Sequence, residues 1–301
     1  MKRNIILDVG ANYGGFSIEI AKRNPEIPVY AIEAEPGLAS FLENDTNDIS
    51  NHFVINCAVS LKEGEFDFYI SEFGDHGTSS LYPFSKQHIS TDPYWKHRDD
   101  LRHNKKTKVK ALRLESILDG LNFIEIEFIK IDVQGMDLAV LESSGKYLKK
   151  IKAGMLEVPA VIEKSLYEET REDLLKALTF LSNHGFRVYA IKPNDPASNE
   201  FNVFFTREDI QAEEVESNLN LKHFHFYDGK NFWHVPSDKL EDPAQHILNL
   251  QAVLDQETDK KNMLEAEIRA IKSELANKIN MLESLDNNKF VRILKFLNLI
   301  K

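Results

Sequence analysis

Apolar and polar positions follow two different periods along the first two thirds of the chain. Short apolar runs bounded by turn residues predict strands at Ile5–Val9, Val29–Ile32, Phe53–Val59, Phe128–Ile131 and Gly154–Val158, and an alternating run predicts one more at Glu65–Ile70. A period of three to four residues predicts helices at Phe16–Arg23, Gly37–Glu43, Ala139–Lys149 and Arg171–Asn183. Strands that alternate with helices favour a parallel sheet with helices on both faces. We therefore expect a doubly wound α/β domain over residues 1–206, closed by two strands at Arg187–Ile191 and Asn202–Thr206.

Four segments depart from this pattern. Residues 71–110 form a long polar and aromatic insertion where connections are usually short, which is typical of a lid or a binding loop. We interpret residues 207–243 as a linker or accessory segment. In residues 244–287 apolar side chains recur every three or four positions among charged helix formers, which predicts a coiled coil and a homo-oligomer, with a helix packed back on the domain as the alternative. Residues 288–301 combine an apolar helical face with positive charges, and this pattern suits either an anionic membrane surface or an oligomer contact.

Composition narrows the class of protein. The chain has 301 residues, a formal net charge of −11 and 42% hydrophobic residues, which argues against a disordered chain and against a general nucleic-acid binder. Cys57 is the single cysteine, so an internal disulfide is excluded and a reducing compartment is favoured. The sequence opens without a signal peptide and no run has the roughly 20 apolar residues that a membrane span needs. We expect a cytoplasmic protein that does not bind nucleic acid.

A glycine-rich turn carries the strongest chemical signal. Asp8-Val9-Gly10-Ala11-Asn12-Tyr13-Gly14 follows the first strand and precedes the first helix, where glycines let the backbone approach a ligand closely. A dinucleotide-binding loop would have glycine at the position of Asn12, because a side chain there crowds a pyrophosphate. The turn therefore suits a cofactor without phosphates, with Asp8 holding an ammonium group and Asn12 hydrogen-bonding nearby. Glu33 ends the second strand about 20 residues further on, a placement that puts a carboxylate on the two hydroxyls of a ribose.

Four stretches together resemble the FkbM family of methyltransferases, over roughly residues 4–206. They occur in the family's order and are Asp8–Gly14, Ala31–Pro36, Asn56–Ser60 and Ile129–Leu138. The resemblance implies a class I, Rossmann-like S-adenosylmethionine-dependent methyltransferase that acts on oxygen, often a sugar or macrolide hydroxyl. It implies cofactor contacts at Asp8, Gly10, Asn12, Gly14, Glu33, Ala58 and Asp132. The sequence departs from the family at Gln134, where glutamate is common, and it lacks the usual segment before the first strand.

The sequence supplies three candidate catalytic residues. Asp132 ends the fourth core strand beside the switch point of the sheet, where ligands collect, and is a candidate base or sulfonium-side carboxylate. Glu157 holds the equivalent place on the fifth strand, and the two carboxylates leave a shared divalent cation open without supporting one. His76, in the insertion, is a second candidate base because histidine titrates near neutral pH. The insertion also carries aromatic and basic residues that suit a glycan or phosphate-bearing acceptor, with a solvated loop of interspersed opposite charges as the alternative: Tyr82, Phe84, Tyr94, Trp95, Lys96, Arg98, Arg102, Lys105, Lys106 and Lys108.

These observations favour a methyltransferase that modifies a sugar hydroxyl of a surface glycan, working in the cytoplasm or at the inner face of a membrane. A second hypothesis is a scaffold, in which a methyltransferase-like domain serves assembly through the coiled coil. A third is a nicotinamide-dependent dehydrogenase, which Asn12 opposes.

Overall fold

The computed structural model describes residues 3–72, 76–195, 197–221, 224, 260–261, 264, 268–269, 271–276, 278 and 289–297. The chain divides into two compact units, Met1–Val235 and Pro236–Lys301. The predicted linker is described at 207–221 and 224, whereas most of the predicted coiled coil at 244–287 falls outside the described residues.

A seven-stranded sheet forms the centre of the first unit, in the order β3-β2-β1-β7-β8-β10-β9. Its strands are β1 (Arg3–Val9), β2 (Val29–Glu33), β3 (His52–Asn56), β7 (Phe123–Ile131), β8 (Ala153–Pro159), β9 (Phe186–Pro193) and β10 (Glu200–Arg207). All neighbours pair in parallel except β10, which runs antiparallel to both β8 and β9. The order reverses direction between β1 and β7, so the sheet has the switch point of a doubly wound fold there. The predicted Rossmann-like class I architecture is thus confirmed.

Helices cover the sheet on both faces, as the two-period pattern predicts. They are α1 (Ser17–Arg23), α2 (Pro36–Asp45), α4 (Leu114–Asp119), α5 (Asp137–Glu142), α6 (Leu174–Asn183) and α7 (Ala212–Leu219), whereas α3 (Lys86–Thr91) lies in the insertion. On β1 the side chains of Ile5, Leu7 and Val9 enter one core cluster, whereas Ile6 enters the other, with Phe16. This alternation follows from the two-residue period of a strand and explains why a central strand is apolar throughout.

A second sheet of three strands, β4-β6-β5, lies outside the main one. It comprises β4 (Ala58–Val59), β5 (Gly64–Ile70) and β6 (Lys105–Leu112). The predicted single strand Phe53–Val59 is therefore wrong: the chain leaves the main sheet after Asn56, and Ala58 pairs with Ala111 instead. The side-chain amide of Asn56 donates to the carbonyl of Glu33, which ends the pairing of β3.

Other boundaries also differ from the prediction. The insertion 71–110 contains α3 and most of β6, because Lys105–Leu112 alternates exposed and buried positions against β5. Helix α5 ends at Glu142 rather than Lys149, since Gly145 takes a left-handed conformation with φ +52° and a 3₁₀ turn follows.

The described residues of the second unit are helical at 260–261, 264, 268–269, 271–276 and 278, and again in α8 (Lys289–Phe296). Leu264, Ile268, Ile271 and Leu275 are each at least half exposed. No helix among the described residues combines the length and apolar character needed to cross a membrane.

Candidate functional site

The turns that follow β1, β2 and β7 meet at the switch point and enclose a cavity of about 360 Å³. The predicted residues Asp8, Gly10, Asn12, Glu33, Ala58, His76 and Asp132 all line it. Gly14, in the glycine-rich turn, and Glu157, in β8, do not line it. The topology thus gathers side chains from five separate stretches of the chain around one cavity.

Gly10 holds the β1 turn against the β7 turn. Its φ is +82°, and a Cβ atom added there would lie 1.9 Å from the carbonyl oxygen of Asp132. No side chain fits that space, so glycine is required for the two turns to pack. Gly14 also has a positive φ, but a Cβ there would meet Leu42 and Ile18. Gly14 therefore lets helix α2 approach the turn.

Asp8 is buried at the floor of the cavity. Its Oδ2 accepts a hydrogen bond of 3.2 Å from the backbone N–H of Ser17, the first residue of α1, while its Oδ1 lies 3.6 Å from Nζ of Lys130. Burial raises the pKa of Asp8, and the Lys130 ammonium opposes that shift. The helix N-terminus that would bind a pyrophosphate in a dinucleotide fold is thus already occupied by a carboxylate of the chain itself.

The carboxylate of Glu33 is fixed at the wall of the cavity by two hydrogen bonds. Its Oε2 accepts from the backbone N–H of Asn12 at 2.7 Å, and its Oε1 accepts from the N–H of Glu35 at 2.8 Å. Burial raises the pKa of Glu33, whereas these two backbone hydrogen bonds lower it. Each oxygen accepts one hydrogen bond from the described residues and has a second lone pair, so the carboxylate can still accept two hydroxyl groups. Asn12 itself has φ +50°, and within the described residues its Oδ1 has no hydrogen-bond partner.

Lys130 and Tyr13 are lining residues that sequence reasoning missed. Lys130 lies in β7 between two fully buried isoleucines, and its Nζ is 3.0 Å from Oδ2 of Asp132. A lysine within an apolar central strand is the signal that identifies it, because a buried ammonium requires a partner. Tyr13 is half exposed and packs edge-on against the ring of His76, with centroids 5.7 Å apart.

His76 brings the insertion to the cavity. Its ring contacts Tyr13, and its Nδ1 is buried without a hydrogen-bond partner among the described residues. The residue lines the cavity, and a histidine can accept a proton from a hydroxyl group that comes within hydrogen-bonding distance of its ring.

Glu157 lies behind Asp132, outside the cavity lining. Its Oε2 accepts from Nδ2 of Asn194 at 2.5 Å, and its Oε1 from Nε2 of Gln134 at 3.3 Å. Burial, followed by the neighbouring carboxylates of Glu200 and Asp132, raises the pKa of Glu157 well above its usual range. Glu157 thus does not line the cavity in this arrangement, and its catalytic role stays a prediction. Among the residues that the structure describes, no three acidic, histidine or cysteine side chains converge as metal ligands.

The aromatic residues of the insertion form a core of their own. Phe84 and Trp95 are buried and pack with Leu166 and Tyr167, so the expectation that these two rings stack on a sugar is wrong. The basic residues nearby are largely neutralised: Lys105 pairs with Glu72, and Lys106 and Lys108 both pair with Asp67. These anionic partners lie more than 30 positions away in the sequence, so the charge pairing agrees with the alternative of a loop with interspersed opposite charges.

A family model described as the methyltransferase FkbM domain matches residues 8–188, well over half of the chain. The chain belongs to the FkbM methyltransferase family. This FkbM protein is accordingly an S-adenosylmethionine-dependent methyltransferase by family, as its motifs predicted. Family membership also removes the nicotinamide-dependent dehydrogenase from the alternatives, in agreement with the occupied N-terminus of α1.

One curated relative of this FkbM protein shares a low sequence identity with it. It is 27% identical over 207 residues to the AMB antimetabolite synthetase AmbE of Pseudomonas aeruginosa, covering 61% of this chain and 10% of that protein. The chain thus spans about a tenth of the length of this curated relative.

Solved structures with a similar arrangement include two methyltransferase-fold proteins. One is TrmK of M. capricolum in complex with S-adenosylhomocysteine (8% identity, 71% of this chain, 68% of that chain, TM-score 0.39). Another is Aeropyrum pernix fibrillarin with S-adenosylmethionine (12% identity, 68% of this chain, 66% of that chain, TM-score 0.40).

Proposed function

We propose that this FkbM methyltransferase transfers a methyl group from S-adenosylmethionine to a hydroxyl of a sugar, in surface glycan or related biosynthesis. The observation that carries the cofactor part of the proposal is the buried carboxylate of Glu33, which backbone N–H groups hold at the cavity wall. The sugar acceptor rests on the family resemblance. In the proposed complex it accepts the two ribose hydroxyls. The amino-acid end of the cofactor then lies over the turn at Gly10 and Asn12, and Ala58 lies beside the adenine of the cofactor.

Methyl transfer is an in-line displacement at a carbon that the sulfonium already activates, so the protein must mainly align the acceptor and exclude water. An alcohol is a weak nucleophile at neutral pH and benefits from a base near its proton. His76 is the proposed base, because its unpartnered Nδ1 belongs to a ring that lines the cavity. Asp132 is proposed to lie on the sulfonium side, and Glu157 to support it from behind.

Calorimetric titration of the full chain with S-adenosylmethionine tests the cofactor part of the proposal. We expect saturable binding with one cofactor per chain, and a His76→Gln variant that keeps this affinity while losing methyl transfer. Absence of binding by the native protein would overturn the enzymatic proposal and favour the scaffold hypothesis.

The acceptor is tested by mass spectrometry of glycans from host cells with and without this protein. Loss of an increment of about 14 daltons per modified sugar, the mass of a CH₂ group, would support sugar O-methylation. An unchanged glycan profile together with intact cofactor binding would point to another acceptor.

We further propose a homo-oligomer through residues 244–287. The support is the exposed set Leu264, Ile268, Ile271 and Leu275, whose spacing of four, three and four residues is that of a coiled-coil seam. A full-length Ile268→Glu, Ile271→Glu variant should have a lower mass in light scattering than the native protein. A charge reversal at exposed Lys272 is the matched control, and an equal mass in all three would contradict the oligomer.

The tail at 288–301 is proposed to contact an anionic membrane surface. In α8 and the turn after it, Ile293, Phe296 and Leu297 are more than half exposed, and Arg292 and Lys295 are exposed too. Sedimentation with phosphatidylglycerol vesicles should capture the protein, and a Phe296→Glu variant should remain in solution. Equal partition of the two proteins would indicate that this helix serves another contact.

A further inference from the structure

Both oxygens of Asp132 are held by the chain itself. Oδ1 accepts from Nε2 of Gln134 at 2.7 Å, and Oδ2 accepts from Nζ of Lys130 at 3.0 Å. The Asp132 side chain is about a third exposed and lines the cavity, whereas the Lys130 side chain is mostly buried. The carboxylate is therefore fixed in place at the cavity wall from two sides.

Lys130 provides one of these supports and remains charged. Burial by itself would lower the pKa of its ammonium, but the carboxylates of Asp132 and Asp8 raise that pKa above its usual value. Among the described lining residues, the carboxylates are those of Asp8, Glu33 and Asp132, and Lys130 is the ammonium. The acidic side chains of the wall thus outnumber the basic ones by two.

Gln134 provides the other support, and its own orientation is constrained. Its backbone is left-handed, with φ +66°, and its carbonyl oxygen accepts from the hydroxyl of Ser80 at 2.6 Å. Its side-chain Oε1 lies 2.9 Å from the hydroxyl of Tyr167. The opposite orientation of the amide would place Oε1 against the carboxylates of Asp132 and Glu157, so the amide must direct its N–H groups toward them.

A fixed negative charge distinguishes the methyl donor from its product. S-adenosylmethionine carries a sulfonium cation, and transfer of the methyl group leaves a neutral thioether in S-adenosylhomocysteine. The rest of the two molecules is identical. A carboxylate held near the sulfur therefore favours the donor by Coulomb attraction and loses that attraction once the product has formed.

On the basis of the proposed function, we propose that Asp132 is the fixed charge that recognises the sulfonium, and that Lys130 and Gln134 are positioning residues that set the preference for donor over product. Lys130 opposes the sulfonium through its own charge while it holds Asp132. Gln134 holds Asp132 without adding charge. The two supports therefore predict opposite changes in the preference when each is removed.

The test is calorimetric titration of full-length variants with S-adenosylmethionine and, separately, S-adenosylhomocysteine. The measured quantity is the ratio of the two dissociation constants, because damage to the shared adenosine and amino-acid contacts cancels in that ratio. Asp132→Asn should reduce the preference for the donor about tenfold, and Gln134→Leu should reduce it about threefold. Lys130→Met should increase it, since the removed charge repels the sulfonium.

Lys152→Met is the matched control. Lys152 is also mostly buried and paired, with Glu127 at 2.8 Å, but it does not line the cavity. Its ratio should equal that of the native protein. If Lys130→Met does not fold, as thermal unfolding would reveal, Asp132→Asn and Gln134→Leu decide the matter.

The outcomes separate this inference from the function on which it rests. A native protein that binds neither ligand overturns the proposed function. Donor binding with one common ratio in the native protein, Asp132→Asn and Gln134→Leu overturns the sulfonium role of Asp132 and leaves the proposed function standing.

Discussion

At the carboxyl ends of β2 and β8 the sheet carries two buried glutamates, Glu33 and Glu157. Backbone N–H groups of neighbouring turns bind Glu33 and leave it facing the cavity. Side-chain amides of Gln134 and Asn194 bind Glu157 and separate it from the cavity. The two glutamates occupy equivalent places in the strand pattern, but only Glu33 has access to the cavity. The difference arises from the turn residues around each strand end and not from the strands.

The largest expected effect comes from substituting Gly10, which lies in the turn whose Asn12 N–H binds Glu33. Gly10→Ala should cost at least about 3 kcal/mol of stability and remove cofactor binding, because its Cβ would overlap the carbonyl of Asp132. Thermal unfolding and calorimetry measure the two effects. Gly15→Ala is the control for stability, since a Cβ there meets no atom within 4 Å. Equal melting temperatures for both variants would show that the turns are not packed as described.

Replacing each glutamate in turn sharpens the comparison directly. Glu33→Ala should weaken binding of S-adenosylmethionine about a hundredfold, since it removes the acceptor for the ribose and leaves the N–H groups of Asn12 and Glu35 unpaired. Glu157→Gln should change that affinity less than about twofold. Calorimetry measures both. A larger loss from Glu157→Gln would mean that the two strand ends have exchanged roles.

Lowering the pH should weaken cofactor binding through Glu33 by less than the Glu33→Ala substitution does. Burial raises the pKa of Glu33 above its usual 4.5, so the carboxylate becomes protonated at a higher pH than an exposed one and loses a hydrogen-bond acceptor. Affinity for S-adenosylmethionine should therefore fall, by about tenfold, as the pH is lowered from 8 toward 5. A Glu33→Gln variant should show a flatter profile, and a native profile with no dependence on pH would contradict the assignment.

The smallest expected effect is the contribution of Glu157 to the pH dependence of stability. The pKa of Glu157 is raised in the folded protein, so the folded state binds more protons than the unfolded state once the pH exceeds about 4.5. The free energy of unfolding should then decrease as the pH rises from 4.5 toward 8. In Glu157→Gln this decrease should be smaller by about 1 kcal/mol. Denaturant unfolding at several pH values provides the measurement, and identical slopes would contradict the effect of burial on Glu157.

The periodicity of the sequence was enough to predict the main sheet, because β1, β2, β7 and β8 are apolar runs bounded by turns. It predicted β5 of the second sheet but missed the other two strands, since β4 has only two residues and β6 has lysine at four of eight positions. Three of those lysines pair with acidic side chains brought close only by the fold. Local pattern carries no information about such partners.

The candidate site was predictable where the chemistry is local to a motif. Asp8, Gly10, Asn12 and Glu33 fall in two contiguous stretches, and they reach one cavity because parallel strands end at the same edge. Lys130 and Tyr13 were missed, and Glu157 was expected nearer to the substrate. Their roles depend on which way side chains turn from neighbouring elements, and one sequence does not specify that.

The hydrogen bond between Asp8 and the first turn of α1 has a consequence for competition among nucleosides. ATP contains the same adenosine as the proposed cofactor, but it carries a negatively charged triphosphate. In this cavity the triphosphate would lie against an aspartate that already accepts a hydrogen bond from the end of the helix. We therefore expect charge repulsion between Asp8 and the triphosphate to weaken ATP binding relative to that of S-adenosylmethionine.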